Sequence, residues 1–167
     1  EGPVEPYLCH GLCELGSTEW EPLMEQVRVW LSAHPREVVT FFVQDEVSPE
    51  DTADVVRRAG LMPSVFTPPA DGSWPTLGSM IDSGHRLVFL MENRGGGTAN
   101  PWLIDGFEAT QDTPFLFEDP AEFSCAPNRG EPDNPLFLVN HWITDKAAEV
   151  SNATTVNSLD VLLPRLE

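Results

Sequence analysis

Apolar positions along the chain alternate between two periods. Trp20, Leu23, Met24, Val27, Trp30 and Leu31 recur three and four apart, the spacing of one helical face. They predict a helix from Thr18 to about Ala33, with Thr18 and Glu21 as a capping box. His34-Pro35 stops it, since a residue before proline avoids helical backbone. The β-branched and aromatic run Val38–Val43 suits a strand covered on both faces. Ser48-Pro49 opens a second helix, as cap and first helical residue, that ends near Gly60. A third runs from Thr76 to Ser83, with Gly84 as its stop. Leu87–Met91 and Leu136–Val139 read as two more buried strands, and Val156–Leu163 as the start of a helix. Gly95-Gly96-Gly97 reads as a flexible loop, and the Pro-, Asp- and Asn-rich stretch from Thr98 to Pro135 has no clear period.

Strand, helix, strand, helix predicts a parallel α/β architecture with right-handed crossovers. A length of 167 residues, 41% of them hydrophobic, fits a single domain spanning 1–167. The choice lies between an open doubly wound sheet and a barrel. No glycine-rich phosphate fingerprint follows any strand, which counts against a nucleotide-binding sheet.

Charge narrows the partners. Twenty-seven acids against nine bases leave a net −18, which repels phosphate backbones and argues against nucleic acid. An anionic lipid surface is disfavoured for the same reason, so a phosphodiester enzyme of this charge needs a local cation or arginine. No run reaches the roughly 18 apolar residues of a membrane span. Cys9 and Cys13 flank His-Gly-Leu, and no second Cys/His pair follows at zinc-finger spacing. A short disulfide loop is the favoured reading and places the chain in an oxidising, extracellular setting; three reduced thiols are the other. Cys125 is then left over, with its partner expected in sequence beyond these residues.

In either architecture the chemistry lies beyond the carboxyl ends of the strands. Tyr7-Leu8-Cys9 leads into His10, Val43 into Gln44-Asp45-Glu46, Met91 into Glu92-Asn93-Arg94, and Val139 into Asn140-His141-Trp142. His10 is the strongest candidate, because an imidazole near its reference pKa of about 6.5 exchanges protons at neutral pH; the competing reading is a turn histidine held between two cysteines. His141 is a second candidate or a satisfied structural histidine. Asp45, Glu46 and Glu92 are oxygen ligands for a hard cation or simply solvated carboxylates. Arg94 pairs with a phosphate or neutralises its acidic neighbours. His34 and His85 take no catalytic role.

Leu8-Cys9-His10-Gly11, His34-Pro35, and Glu37-Val38-Val39 opening a strand resemble the X-region of phosphatidylinositol-specific phospholipases C. Pro75-Thr76-Leu77-Gly78 and Gly84-His85-Arg86-Leu87-Val88 look like its next segment. Phe123-Ser124-Cys125, Asn128-Arg129-Gly130 and Asn140-His141-Trp142 resemble a cysteine-containing secreted branch found in bacteria and fungi. The likeness runs from about Tyr7 to Asn157.

This resemblance implies an α/β fold, an incomplete TIM-like (β/α) barrel of the phospholipase-C-like phosphodiesterase type, lacking its N-terminal strands and its last strand. It implies a phosphoric diester hydrolase acting on a phospholipid or headgroup phosphodiester by two histidines, with peripheral membrane contact and no assigned oligomeric state. His10 matches the general acid; the base, in a His-Asn/Asp-Ser motif, is expected before Glu1, and the fragment alone is expected to be inactive. Gln44, Glu92, Arg94 and His141 are the expected substrate-binding residues. Calcium is one candidate cofactor, with Asp45 its ligand one step after the position, here Gln44, where calcium-dependent members place a carboxylate; the other is no metal, as in the calcium-independent type, which uses an arginine from a region expected before Glu1. Other readings are a non-catalytic secreted barrel acting as a binding module, and a metal-dependent glycerophosphodiester-type phosphodiesterase.

Overall fold

The computed structural model describes residues 5–9, 13–44, 46–145, 150–151 and 153–165. The chain divides into two compact units, Glu1–Gly106 and Phe107–Glu167. In the first, β1 (Tyr7–Cys9) pairs antiparallel with β2 (Ser17–Glu19), and α1 (Trp20–Ala33) follows directly. Thr18 lies opposite Leu8 in this ladder. The helix therefore starts two residues later than its periodicity predicts, with Glu19 at the cap and no side-chain capping bond, so the Thr18–Glu21 box does not form. Trp20, Met24 and Leu31 are buried, with Leu23 and Val27 packed beside them. Trp30 leaves the expected apolar face, 43% exposed, and stacks on His34 with ring centres 4.3 Å apart.

After β3 (Val39–Val43), α2 (Pro49–Arg58) and α3 (Leu77–Ser83) start and stop where their signals predict. Ser48 Oγ accepts from Asp51 N at 3.0 Å, and Thr76 Oγ1 from Ser79 N at 3.2 Å. Gly84 closes α3 at φ 78°, a left-handed conformation that costs glycine little. Arg28 Nε donates to Ala59 O at 3.0 Å, and Arg58 pairs with Glu21, tying α1 to the end of α2.

β4 (Leu87–Met91) and β5 (Leu103–Asp105) complete a parallel sheet in the order β3-β4-β5. Every residue of β4 is buried, as a central strand requires. β3 lies at the edge of this sheet, its residues half-buried and Thr40 exposed, so two-sided cover holds for β4 and not for β3. The core of this unit gathers Trp20, Met24, Val55, Val56, Phe89 and Trp102 among others.

Arg86, just before β4, donates from Nη1 to His34 O at 2.9 Å and Glu37 O at 2.8 Å, and from Nη2 to Leu31 O at 3.0 Å. A buried cation thus binds Leu31 O, left open at the end of α1 because Pro35 has no N–H, and two carbonyls of the following turn, beside the negative end of the helix dipole. The glycine loop is tighter than expected. Gly96 bridges Asn100 and donates to Leu103 O at 2.7 Å. A Cβ on Gly96 would sit 2.3 Å from Asn100 O, so glycine serves close packing there rather than flexibility.

α4 (Gly106–Ala109) leads into the second unit, where β6 (Thr110–Asp112) pairs parallel with β7 (Leu136–Leu138). β8 (Thr144–Asp145) and β9 (Val150–Ser151) form a short antiparallel pair. The tail holds two short helices, α5 (Ala153–Val156) and α6 (Leu159–Leu162), in place of the single expected one. The second unit centres on Asp112, fully buried at the end of β6. Its carboxylate accepts from Arg129 N, Nε and Nη2 at 2.7, 2.9 and 2.6 Å, and from the side-chain amides of Asn128 and Asn140 at 3.2 Å. The Arg129 guanidinium lies over the rings of Phe107 and Phe115, 4.3 and 4.7 Å from their centres. Gly130 follows at φ 74°, where a Cβ would fall 2.0 Å from Thr110 O. Burial, the largest single influence, pushes the Asp112 pKa up, but hydrogen bonds and charge from Arg129, with Asn140, outweigh it, and the carboxyl titrates below the ordinary aspartate range.

The architecture is mixed α/β with four small sheets, and no closed barrel forms among the described residues.

Replacing Arg86 with Ala removes three buried or half-buried hydrogen bonds to carbonyls and should cost about 3 kcal/mol in urea unfolding, with Lys recovering only part because an ammonium lacks the planar fork. Asp112 predicts an acid limb. Its folded pKa is depressed, so its stabilisation is complete above the unfolded value of about 3.9 and is lost as pH falls through the lower folded value. Urea titrations from about pH 5 to pH 2 should show a shallower acid loss in Asp112→Asn than in the wild type.

Candidate functional site

Parallel pairing in register sets the rim of the first unit. Val43 lies opposite Met91, and Met91 opposite Asp105, so β3, β4 and β5 end at one level. Gln44 and Glu92 follow directly, and Glu92 N donates to Val43 O at 2.9 Å, binding the two exits together. The half-buried Asp105 ends the third strand.

The β1–β2 pair stands beside this rim. Its strands are exposed and antiparallel, so Tyr7–Cys9 is not another strand of the parallel sheet, as its place among the apolar runs had predicted. A Cys9–Cys13 disulfide closes the segment, with Cα atoms 5.1 Å apart, and Cys125 is free and exposed. Tyr7, Cys9, Cys13 and Glu14 meet Gln44 and Glu46 around a cavity of about 560 Å³, with Trp20 and Val47 in its apolar wall.

The expected site residues are distributed as follows. His10 and Asp45 lie outside the described residues. Gln44 is exposed and lines the cavity. Glu92 is half-buried on the rim. Arg94 is exposed, 3.8 Å from Glu50 in the first turn of α2. His141 belongs to the second unit, with Nε2 2.8 Å from Val156 O, its ring centre 4.9 Å from that of Phe123, and a buried Nδ1 without a hydrogen-bond partner among the described residues. The structure therefore brings Gln44 together with the disulfide segment and sets Glu92 at the same sheet level.

Sequence reasoning passed over Tyr7, Glu14 and Trp20 as cavity walls, although they lie within a helix's length of Cys9 and Cys13. It also passed over Asp105 and Asp112, which end strands only three residues long, too short for an alternating pattern to register. Among the described residues no three His, Cys, Asp or Glu side chains converge to hold a metal ion. The described carboxylates thus do not by themselves compose a calcium site.

Among the described residues no helix is long and apolar enough to cross a membrane. The family model described as PI-PLC X 1 matches residues 4–160. A PI-PLC X domain-containing protein 1 of Arthroderma benhamiae is 32% identical over 148 residues, covering 81% of this chain and 48% of the relative. An uncharacterized secreted protein of the same fungus is 29% identical over 169 residues, 94% of this chain and 38% of the relative. A PI-PLC X domain-containing protein of Arabidopsis thaliana is 31% identical over 93 residues, 49% of this chain and 22% of the relative. The chain spans less than half the length of these relatives. No solved structure matches it. With the X-region motifs in order and the family model covering nearly the whole chain, the protein belongs to the PI-PLC X domain family.

Proposed function

We propose that this chain is part of an extracellular phosphoric diester hydrolase of the phospholipase C type, acting on a lipid-derived phosphodiester reached by peripheral contact with a membrane. The observation that carries this reading is the cavity at the carboxyl end of β3, where Gln44 meets both cysteines of the loop that contains His10. The parallel β3-β4-β5 sheet supports reading this unit as an arc of a (β/α) barrel, whose reactive groups gather at strand ends.

In this mechanism the oxygen of an attacking hydroxyl, from water or the headgroup, bonds to phosphorus while the bond to the departing alcohol breaks. The His10 imidazolium gives its proton to the departing oxygen, so no free alkoxide forms. The base that takes the attacking proton is the family's other histidine, outside residues 1–167 in this reading. The Gln44 amide is a hydrogen-bond donor for a phosphate oxygen at the rim, where Glu92 and Arg94 lie near the same strand ends. Calcium held through Asp45 is the proposed cofactor of a metal-dependent version.

His10→Gln in the full-length protein should lower diesterase kcat at least about 10²-fold while leaving the circular dichroism spectrum unchanged. Turnover that survives this change makes His10 a structural turn residue and overturns this mechanism, whereas a wild-type protein with no turnover favours the binding-module reading.

A further inference from the structure

The cavity wall opposite Gln44 is held by few contacts of its own. β1 and β2 have three residues each, and every one of them is exposed. The buried core takes in neither Cys9 nor Cys13; its first member along the described chain is Trp20, after β2. A two-stranded pair of this size is marginal in water, and the Cys9–Cys13 bond fixes its end, with both cysteines in the cavity lining. Both cysteines are exposed, so a thiol or disulfide reagent reaches them while the core stays folded. A ring closed between positions only four apart also removes little chain entropy, so its closure is weakly favoured beside that of a long-loop disulfide. Exposed disulfides are the readily exchanged ones, in contrast to buried structural bonds.

We infer that this disulfide is a redox switch. The cavity is complete only once Cys9 and Cys13 are joined, so the chain is folded but idle in a reducing compartment and becomes competent on reaching an oxidising one. What is switched on rests on the diesterase reading, but the redox-dependent ordering of the wall stands on β1 and β2 themselves. The oxidant is a disulfide of the class R–S–S–R. One cysteine thiolate attacks it, a mixed disulfide forms and one R thiolate leaves. The second cysteine thiolate then attacks the cysteine sulfur of the mixed disulfide, which closes Cys9–Cys13 and releases the second R thiolate. Two electrons pass to the oxidant, and the two protons lost by the cysteines end on two R–SH. The sheet β3-β4-β5 contains neither cysteine, so the reduced chain keeps its core and loses one wall of the cavity. A diesterase that stays idle until export spares the membranes of the cell that makes it.

The test places the full-length protein in glutathione buffers from fully reduced to fully oxidised. Alkylation and mass spectrometry read the state of Cys9 and Cys13, amide hydrogen exchange reads the wall and the core, and hydrolysis of short-chain phosphatidylinositol reads activity. In reduced glutathione the bond should open, and amides of Tyr7–Cys9 and Ser17–Glu19 should exchange at least about tenfold faster while those of Leu87–Met91 hold. Diesterase kcat should fall at least about tenfold and return with oxidised glutathione. The double variant Cys9→Ser, Cys13→Ser, which leaves Cys125 untouched, should show the fast exchange and low kcat in either buffer. A bond that stays closed in reduced glutathione overturns the switch. So does an open bond with unchanged exchange in the wall, or one that loosens Leu87–Met91 as well and is thus a staple of the whole unit. Equal turnover in the two redox states also sinks the switch, and leaves the diesterase standing. Redox-dependent exchange in the wall with no turnover in either state does the reverse.

Discussion

Strand β4 is hydrogen-bonded along both edges, to β3 on one side and β5 on the other, and all five of its residues are buried. A strand in that position must be apolar on both faces, and it sets the level at which its neighbours end. Because the pairing is parallel and in register, Val43, Met91 and Asp105 share one rim, and the polar residues after them emerge side by side. A slip of one residue in this pairing would scatter that rim. The candidate chemistry thus depends on the same ladder that secures the core.

The motifs that mark the family take structural duties wherever the fold is described. Arg86, within Gly84-His85-Arg86-Leu87-Val88, closes the end of α1 through three carbonyls. Arg129, within Asn128-Arg129-Gly130, holds buried Asp112, and Gly130 lets that loop lie against β6. Asn140, ahead of His141, completes the hydrogen bonding of the same carboxylate. Both arginines occur in a chain with only nine bases; Arg129 pairs with a buried carboxylate and Arg86 bonds buried backbone carbonyls, groups costly to bury without partners.

The candidate cavity reflects a second division of labour. A rigid parallel sheet supplies Gln44, while a short antiparallel pair stapled by Cys9–Cys13 supplies the opposite wall. The disulfide compensates for what that pair lacks, since exposed three-residue strands bury too little to hold a fixed position unaided. Placing the candidate acid inside a covalently closed loop is a physical route to a preorganised site on a small element.

The starts of α2 and α3, the glycine stop of α3, the run that became β4 and the short disulfide were all legible in the sequence, whereas the run at Leu136 forms a strand, β7, with Phe137 exposed rather than buried. Each depends on groups within a few residues of one another: Ser48 meets Asp51, Thr76 meets Ser79, and Cys9 meets Cys13. Family membership was legible too, because it is carried by ordered local motifs. The edge position of β3, the loss of the Thr18 cap to a strand, the burial of Asp112 and the make-up of the cavity were settled only by tertiary structure. Those depend on partners far along the chain, such as Leu8 for Thr18, Arg129 for Asp112 and Gln44 for Tyr7. A residue's own neighbours determine which local conformation it favours, but which of its faces is buried and which charge it meets is decided by what the fold brings against it.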